Sequence, residues 1–395
     1  MVYLFEIVDS IVFAYLGFSV IYFFVFAVFS MFNRKDKYPE ASEFHRFLVL
    51  FPAYREDRVI ESSIKDFLRQ TYPGDRYEVI VISDQMSDET NRKISNLPVR
   101  LLEINFEESS KGKALIFAMD CVKDNEYDVV VILDADNTVE PDFLDQLNRV
   151  YDAGVLAIQG NRQGKNLHTD YAIMDAASEA MNNAYFRKGH SFVGLSSSLS
   201  GSGMAFDYKW FQDNIRNIST NGEDLEFEIF LLKQRIFIEY LSKVPVYDEK
   251  VQNATSFSRQ RRRWLSAQVD CLKIAIRDLP HAIFSGNINY ADKLLQWLML
   301  PRVLLLGFVF LIAIFVSLVK FDWALKWWAL LLMLIVTFWI AIPKTMNVRL
   351  LKIAVKRVPL LFGLMFVNLF HVNRASGKVF HTPHGGPASN THDSG

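Results

Sequence analysis

Two acidic side chains, Asp134 and Asp136, stand one residue apart directly after the apolar run VVVIL, residues 129–133. Two carboxylates in this pattern could hold one Mg²⁺ or Mn²⁺ ion together with the phosphates of a substrate, because these hard ions prefer oxygen ligands. The alternative is that the acids form a capped helix start before Pro141. We favour the metal site, since a buried strand would deliver both carboxylates to a cleft.

A second candidate group follows the β-rich run EVIVI, residues 78–82. The carboxylate of Asp84 is placed to accept hydrogen bonds from a base or a ribose, whereas we predict that Asp88 caps the next helix. Lys113, in the run KGKAL, could neutralise a phosphate or form a solvated charge on a helix. Both interpretations of Lys113 stay open.

The triplet Gly222-Glu223-Asp224 precedes the amphipathic run LEFEIFLL. Acidic residues in a first helical turn favour the helix dipole, which is a structural explanation for the triplet. The functional interpretation makes Asp224 a general base, which removes a proton from an acceptor hydroxyl as that hydroxyl attacks an anomeric carbon.

The pentapeptide QRRRW, residues 260–264, places arginines between a glutamine and a tryptophan. Guanidinium groups suit a diphosphate, and the tryptophan ring could form a floor for a sugar or stabilise an arginine. The alternative is a juxtamembrane basic cluster that contacts anionic lipid. That alternative explains the arginines but not Gln260 and Trp264.

These groups need strands and helices to bring them together. Apolar runs at 47–51, 78–82 and 129–133 predict strands, and the spacing at 61–70 and 112–123 predicts helices. Strands that alternate with helices predict a parallel sheet with helices on both faces. In such a sheet, ligands bind beyond the carboxyl ends of the strands, where each of these strands ends in a candidate group.

The two ends of the chain are apolar enough to enter a membrane. Residues 11–32 are uncharged and long enough to cross a bilayer, and the basic residues after them place the next segment in the cytosol. A cleaved signal peptide is disfavoured, since the residues before the run are acidic. Residues 303–319 and 327–343 predict a transmembrane hairpin linked by residues 320–326.

The segments before and after the hairpin are expected to lie at the membrane surface. We predict that residues 348–372 form an interfacial helix, with a fourth span as the alternative, and that residues 279–300 contain a second interfacial segment. The organisation expected is an N-terminal span in residues 1–33, a cytosolic domain in 44–275, a membrane region in 279–373 and a cytosolic tail in 374–395. The chain is therefore expected to be a multi-pass protein of the inner (cytoplasmic) membrane.

Composition excludes several classes of protein. A formal net charge of -1 and the lack of a concentrated basic face argue against nucleic-acid binding. The two cysteines, Cys121 and Cys271, offer neither a disulfide framework nor zinc spacing.

In combination and in order, the motifs resemble those of the processive, membrane-bound family 2 glycosyltransferases, such as cellulose, hyaluronan and poly-N-acetylglucosamine synthases. PAYRE resembles the P-x-Y-N-E opening of that family, with Arg55 in place of asparagine. ISDQMSDET resembles the motif with a strand-end aspartate, DAD the metal motif, GED the base motif and QRRRW the Q-x-x-R-W motif. Residues 199–206 resemble the loop near the acceptor terminus.

The resemblance implies a GT-A-type, Rossmann-like α/β domain that uses a UDP-sugar and inverts the anomeric carbon. The nucleotide would contact Pro52, Tyr54, Glu56 and Asp84, and Lys113, in one of its two interpretations, would lie at the phosphates. Mg²⁺ or Mn²⁺ would bind Asp134 and Asp136. The catalytic pair would be Glu223 and Asp224, with Asp224 as the base, and the diphosphate and acceptor entrance would be lined by Gln260, Arg263 and Trp264.

The tail FHTPH, residues 380–384, resembles a gating motif but has His384 where lysine is usual. The acceptor would be a growing β-linked saccharide. Because the chain has few spans to build a channel, a homodimer, an accessory subunit or the addition of a single sugar to a lipid-linked acceptor are the alternatives. A catalytically silent nucleotide sensor and a transporter are disfavoured by the intact base motif and by the large polar centre.

Overall fold

The computed structural model of the chain describes residues 2–33, 38–122, 126–343 and 348–375. Within these ranges lie eight strands and fifteen α-helices, together with a π-helical segment at Asn183–Gly189 and a 3-10 turn at Ile276–Asp278. The strands β1 to β8 are Phe47–Tyr54, Tyr77–Asp84, Arg100–Ile104, Val129–Ile132, Thr138–Val139, Ala157–Gly164, Met204–Asp207 and Ile238–Asp248. The helices α1 to α15 are Val2–Ser30, Ile60–Phe67, Asp88–Ser95, Lys111–Asp120, Phe143–Asp152, Asp170–Asn182, His190–Phe192, Tyr208–Ile215, Glu223–Lys233, Ala254–Ala275, Leu279–Phe284, Ile288–Leu298, Arg302–Val319, Phe321–Ala341 and Val348–Ala375.

The eight strands form one sheet in the order β3-β2-β1-β4-β7-β6-β8-β5. The first four strands in this order are parallel, as the alternation of strands and helices predicts. The prediction of a parallel sheet does not extend to the second half, because β7 pairs antiparallel with β4 and with β6, and β5 pairs antiparallel with β8. The sheet is therefore mixed, and β6 and β8 in its second half are parallel to each other.

The strands of the first half are apolar on both faces because helices cover both faces. Along β1, alternate side chains enter two separate cores. Phe47, Val49 and Phe51 pack with α2, α3 and α5. Leu48 and Leu50 pack with α4, α8 and α9. These two cores fix the sheet between two helical layers and bring the carboxyl ends of β1, β2 and β4 to one edge.

The start of α3 corrects one expectation about capping. Ser87, not Asp88, is the residue that caps this helix, since Ser87 Oγ accepts a hydrogen bond from the Thr90 N–H at 3.3 Å. Asp88 is the first residue of the helix itself. Asp57 accepts bonds from both the N–H and the hydroxyl of Ser87, so the cap is held in turn by the loop after β1.

Three described helices are long and apolar enough to cross a membrane: Tyr3–Ser30 within α1, Arg302–Val319 and Phe321–Ala341. The predicted hairpin link at 320–326 is wrong in length, because Lys320 alone separates α13 from α14. Lys326 lies inside α14, where the carboxylate of Asp9 neutralises its charge, and Lys320 pairs with Glu6 at 2.5 Å. Charges that the sequence placed in a loop are thus accommodated within paired helices.

The π-helical segment joins the sheet domain to the apolar helices. Its Tyr185 hydroxyl donates to Thr337 O of α14 at 3.3 Å. Its last residue, Gly189, lies against the backbone of α1, where an added methyl group would overlap the carbonyl oxygen of Phe26. After the hairpin, α15 is one helix with Pro359 inside it, and its Leu361 packs with Phe257 of α10 and Val303 of α13. Whether α15 lies at an interface or spans a membrane stays a prediction.

Candidate active site

A cleft of about 390 Å³ opens at the carboxyl edge of β1, β2 and β4 and extends toward α6 and α10. With the exception of Lys113, every residue that the motifs predict for the site lines this cleft. These residues are Pro52, Tyr54, Glu56, Asp84, Asp134, Asp136, Glu223, Asp224, Gln260, Arg263 and Trp264. Residues more than 200 positions apart in the chain are therefore brought to one cavity. The predicted gating residues 380–384 lie outside the described part of the chain.

One end of the cleft is formed where β1 and β2 stop. Tyr54 and Asp84 are paired at the last position of their parallel strands. The next residue of each strand, Arg55 and Gln85, has a left-handed backbone with φ of 55° and 54°. The Arg55 guanidinium donates to Gln85 Oε1 at 2.6 Å and 3.0 Å, which holds the two turns together.

The Asp84 side chain has an unusual environment for a carboxylate. The residue is 2% exposed, and its Oδ1 atom has no hydrogen-bond partner among the described residues. A buried acceptor without a donor costs free energy, on the order of 1–3 kcal/mol or more for a charged group. An N–H or O–H group of a ligand in the cleft would supply the missing donor.

Lys111 stands at the centre of the cleft. Its ammonium donates to Asp134 Oδ1 and to the carbonyl oxygen of Gly201, both at 2.5 Å, and lies 3.6 Å from Glu223 Oε1. The acidic groups Asp134 and Glu223 keep the pKa of Lys111 above its ordinary value, although burial acts in the opposite direction. The lysine therefore stays charged and links the DAD motif to the GED motif.

Lys113, for which a phosphate contact and a solvated helix charge were both left open, does not line the cleft. Its ammonium donates to the carbonyl oxygen of Glu108 at 2.8 Å, and half of its side chain is exposed. Ser110 caps α4 and accepts from the Lys113 N–H, so the helix begins at Lys111. Two positions along a helix correspond to a rotation of about 200°, and so Lys111 points into the cleft while Lys113 points away.

The two aspartates of the DAD motif differ in their surroundings. Asp134 has 30% of its side chain exposed, and besides Lys111 it faces the Arg162 guanidinium at 3.9 Å. Asp136 is buried, where its oxygens accept from the Asn137 amide at 3.0 Å and from the Glu249 N–H at 2.7 Å. A carboxylate oxygen has two lone pairs. Together the two carboxylates fit a hard divalent ion, because that of Asp134 is partly exposed to the cleft and that of Asp136 is held in place by hydrogen bonds.

The GED motif begins α9 at the opposite wall. Gly222 lies so close to α10 that an added Cβ would meet the Ala267 methyl at 2.9 Å, which explains the glycine. Burial raises the pKa of Glu223 to about 7; Lys111 acts against the rise and Asp224 adds to it. Asp224 is partly exposed in the cleft and faces Gly201. The motif thus places the Asp224 carboxylate in the cleft beside Glu223, whose pKa lies close to neutrality.

The third wall comes from α10. Gln260, Arg263 and Trp264 line the cleft, and Gln260 Oε1 is buried without a hydrogen-bond partner among the described residues. The remaining arginines of the pentapeptide face elsewhere. Arg262 Nε donates to Asn368 of α15 at 3.3 Å, and Arg261 pairs with Asp175 of α6 at 2.7 Å.

Several cleft residues were not foreseen from the sequence. The sequence could have indicated Lys111 if Ser110 had been identified as the cap of the helix. Arg162 lies in β6 and bonds Asp248 at 2.7 Å and the Ser200 carbonyl at 2.7 Å. Glu179 and Arg187 form a buried ion pair at 2.6 Å on the wall nearest the apolar helices. Neither β6 nor the π-helical segment carries a recognisable motif, so these residues had no signal.

Comparison with known proteins adds independent information. The family model described as glycosyltransferase like family 2 matches residues 45–267. The beta-monoglucosyldiacylglycerol synthase of Synechocystis sp. is 25% identical over 223 residues, which are 55% of this chain and 46% of that protein. The probable glycosyltransferase YdaM of Bacillus subtilis is 32% identical over 97 residues, or 23% of each chain. The matches thus span less than half the length of these curated relatives.

Among solved structures, the mannosyltransferase PcManGT from Pyrobaculum calidifontis, in complex with GDP-Man and Mn²⁺, is similar with a TM-score of 0.54 and 18% identity. The similarity covers 84% of this chain and 96% of that one. At this identity, the likeness establishes the fold.

Proposed function

The chain belongs to the family described as glycosyltransferase like family 2, and from this premise we propose that it is an inverting enzyme which moves a sugar from a UDP-sugar to a β-linked saccharide at a membrane. It is a glycosyltransferase, and its Rossmann-like α/β fold is of the GT-A type. The observation that best supports the proposal is the Lys111 bridge. This bridge puts a cation, the Asp134 carboxylate and the acidic pair Glu223 and Asp224 into one cleft.

The nucleotide is proposed to occupy the end of the cleft formed by Pro52, Tyr54, Glu56 and Asp84. The unpartnered Oδ1 of Asp84 supports this placement, because uracil and ribose both carry a donor that could satisfy it. The diphosphate then lies near Lys111 and Arg263, whose positive charges would stabilise the phosphate oxygens. Lys111 takes the role that the sequence gave to Lys113.

Asp134 and Asp136 are proposed to hold Mg²⁺ or Mn²⁺. Such an ion supplies positive charge to the diphosphate of the bound donor. Asp134 offers the more exposed carboxylate, and Asn137 and Glu249 hold that of Asp136 in place. The contact with Lys111 orients Asp134, so the two carboxylates stay directed toward the cleft.

The transfer step is proposed to use Asp224 as the general base. Its carboxylate accepts the proton of an acceptor hydroxyl while the hydroxyl oxygen forms a bond to the anomeric carbon. The bond from that carbon to the diphosphate breaks on the opposite side, and UDP leaves with the electron pair. Burial raises the pKa of Glu223 to about 7, so this neighbour of the base carries a negative charge less readily than an ordinary glutamate.

The acceptor is proposed to reach the cleft from the side of α6, α10 and the apolar helices, past Gln260 and Trp264. We place the sheet domain in the cytosol and the three apolar helices across the inner membrane. A second candidate, the addition of a single sugar to a lipid-linked acceptor, is favoured by one observation: only three described helices could cross a membrane, which is few for a channel.

The experiment is UDP release by the purified full chain in lipid, with Mn²⁺ or Mg²⁺, across a panel of UDP-sugars, followed by sizing of the product. A long product with one donor would support the polymer synthase, and one added sugar would support the second candidate. Asp224→Asn should abolish release while UDP still binds. Full release by that variant would remove Asp224 from the role of base. Normal UDP binding without release from any donor, with lipid and saccharide acceptors supplied, would contradict the proposed transfer and favour a nucleotide sensor.

A further inference from the structure

Two arginines that do not line the cleft, one from the pentapeptide QRRRW and one from α13, meet at one serine behind it. Arg261 of α10 and Arg302 of α13 both donate to Ser178 Oγ, at 3.1 Å and 3.2 Å. Arg302 also donates to Asn182 Oδ1 at 2.7 Å, and Arg261 pairs with Asp175 at 2.7 Å. Two guanidinium groups are thus drawn together by a single shared hydroxyl.

Each arginine of the pair keeps one nitrogen for which the described residues supply no acceptor. Arg261 Nε and Arg302 Nη1 are both buried and have no hydrogen-bond partner among the residues that the structure describes. The carboxylate of Asp175 bonds Arg261 directly, whereas Glu179 is paired with Arg187 at 2.6 Å. Buried donors of charged groups are rarely left unpaired, because such a donor has lost its hydrogen bonds to water without a replacement. An anion is a group that accepts hydrogen bonds from guanidinium donors of this kind.

The position of the pair indicates where such an anion comes from. Arg302 is the first residue of α13, one of the three helices that could cross a membrane, and so lies where lipid headgroups begin. Arg261 stacks on the Trp264 ring at 4.8 Å, and Trp264 and Asn182 both line the cleft. The arginine pair therefore lies between the cleft and the start of α13, which we place at the membrane surface.

We propose that Arg261 and Arg302 form a binding site for the phosphate group of a lipid. The inference rests on the proposed function only in placing α13 across a membrane. Guanidinium groups bind phosphate through paired N–H donors, and each arginine here has one such donor to give. The phosphate could belong to a lipid-linked acceptor or to the headgroup of a neighbouring lipid, and the chemistry of the site is the same for both.

The test uses the full chain in neutral detergent without UDP-sugar, titrated with dihexanoyl phosphatidic acid and, separately, with dihexanoylglycerol, which lacks the phosphate. Saturable binding, read as a rise in melting temperature, is expected for the phosphatidic acid alone. Arg302→Gln and Arg261→Gln should each weaken it at least tenfold. Arg259→Gln, which removes an exposed arginine of the same helix, should leave it unchanged.

The wild-type chain alone can refute the proposed site. It would do so by binding both lipids equally or by showing no saturable binding. UDP affinity shows whether the variants are folded, and Arg302→Lys, which keeps the charge but loses the planar donors, should give an intermediate loss. To identify the source, a prenyl phosphate is supplied together with the UDP-sugar. A glycosylated prenyl phosphate would make the phosphate that of the acceptor. Binding without glycosylation would make it that of a headgroup. Because binding is measured without donor, the site stands or falls separately from the proposed transfer.

Discussion

Replacing Glu223 with glutamine should make the protein more stable, and the gain should depend on pH. Burial raises the pKa of Glu223 from 4.5 to about 7 in the folded chain, Lys111 opposes the rise, and Asp224 reinforces it. Between these two values the unfolded chain releases the proton while the folded chain keeps it. The stabilising contribution of the protonated Glu223 is therefore fully present below pH 4.5. It declines as the pH rises from 4.5 to about 7 and is lost above that value.

The size of the effect follows from the two pKa values. A rise from 4.5 to about 7, at about 1.4 kcal/mol for each pH unit, amounts to roughly 3 kcal/mol at pH 8. Glutamine does not titrate, so Glu223→Gln escapes this loss. For a domain of this size, 1 kcal/mol corresponds to about 2–4 °C in melting temperature, and the variant should therefore melt roughly 6–12 °C above the wild type at pH 8.

The assay is thermal unfolding of both proteins at pH 5, 6, 7 and 8, without nucleotide or metal. The difference in melting temperature should be small at pH 5, grow up to pH 7 and then level off. Glu89→Gln is the control, since Lys93 lowers the pKa of this exposed carboxyl, and any difference there should be slight and of opposite sign. A difference for Glu223→Gln that does not change with pH would refute the view that this group holds its proton near neutrality.

Three further outcomes are expected. Lys111→Met should lower kcat by about 100-fold or more, because a buried cation is lost beside the diphosphate, whereas Lys113→Met should remain near wild type. An equal loss of UDP release in the two variants would contradict the placement of Lys111. Asp84→Asn should weaken UDP binding by about 10- to 100-fold, which calorimetric titration would measure. The same change should raise the melting temperature of the nucleotide-free protein, since it removes a carboxylate that has an unpaired buried oxygen. Excess chelator should stop UDP release and Mn²⁺ should restore it in the wild type but not in Asp134→Asn; undiminished turnover in chelator would exclude the metal site.

The first half of the fold could be predicted because its strands are buried on both faces. Apolar runs such as those that became β1, β2 and β4 have few structural alternatives, and the polar residues after them mark the ligand edge. The second half could not be predicted in the same way. Strand β6, with sequence AIQGNRQG, is half polar, and its Arg162 lines the cleft instead of a core.

Within the site, residues in motifs were found and residues without motifs were missed. Asp84, Asp134 and Asp224 follow recognisable runs. Lys111 was missed and only Lys113 was considered, because the sequence did not reveal that Ser110 caps α4 and that the helix begins at Lys111. Arg162 and Arg187 reach the cleft because distant parts of the chain fold around it, and a local pattern carries no information about such contacts.

The contact between Gly189 and the backbone of α1 has a mechanical consequence. Side chains can rotate to absorb a small displacement, but two backbones in direct contact cannot, so α1 and the end of the π-helical segment move as one body. Arg187, two residues before Gly189, belongs to the wall of the cleft. The tilt of a membrane helix depends on the thickness of the bilayer around it. With α1 across a bilayer, as proposed above, the tilt of α1 would set the orientation of the cleft relative to the lipid surface, and a bilayer of different thickness would turn the cleft with the helix.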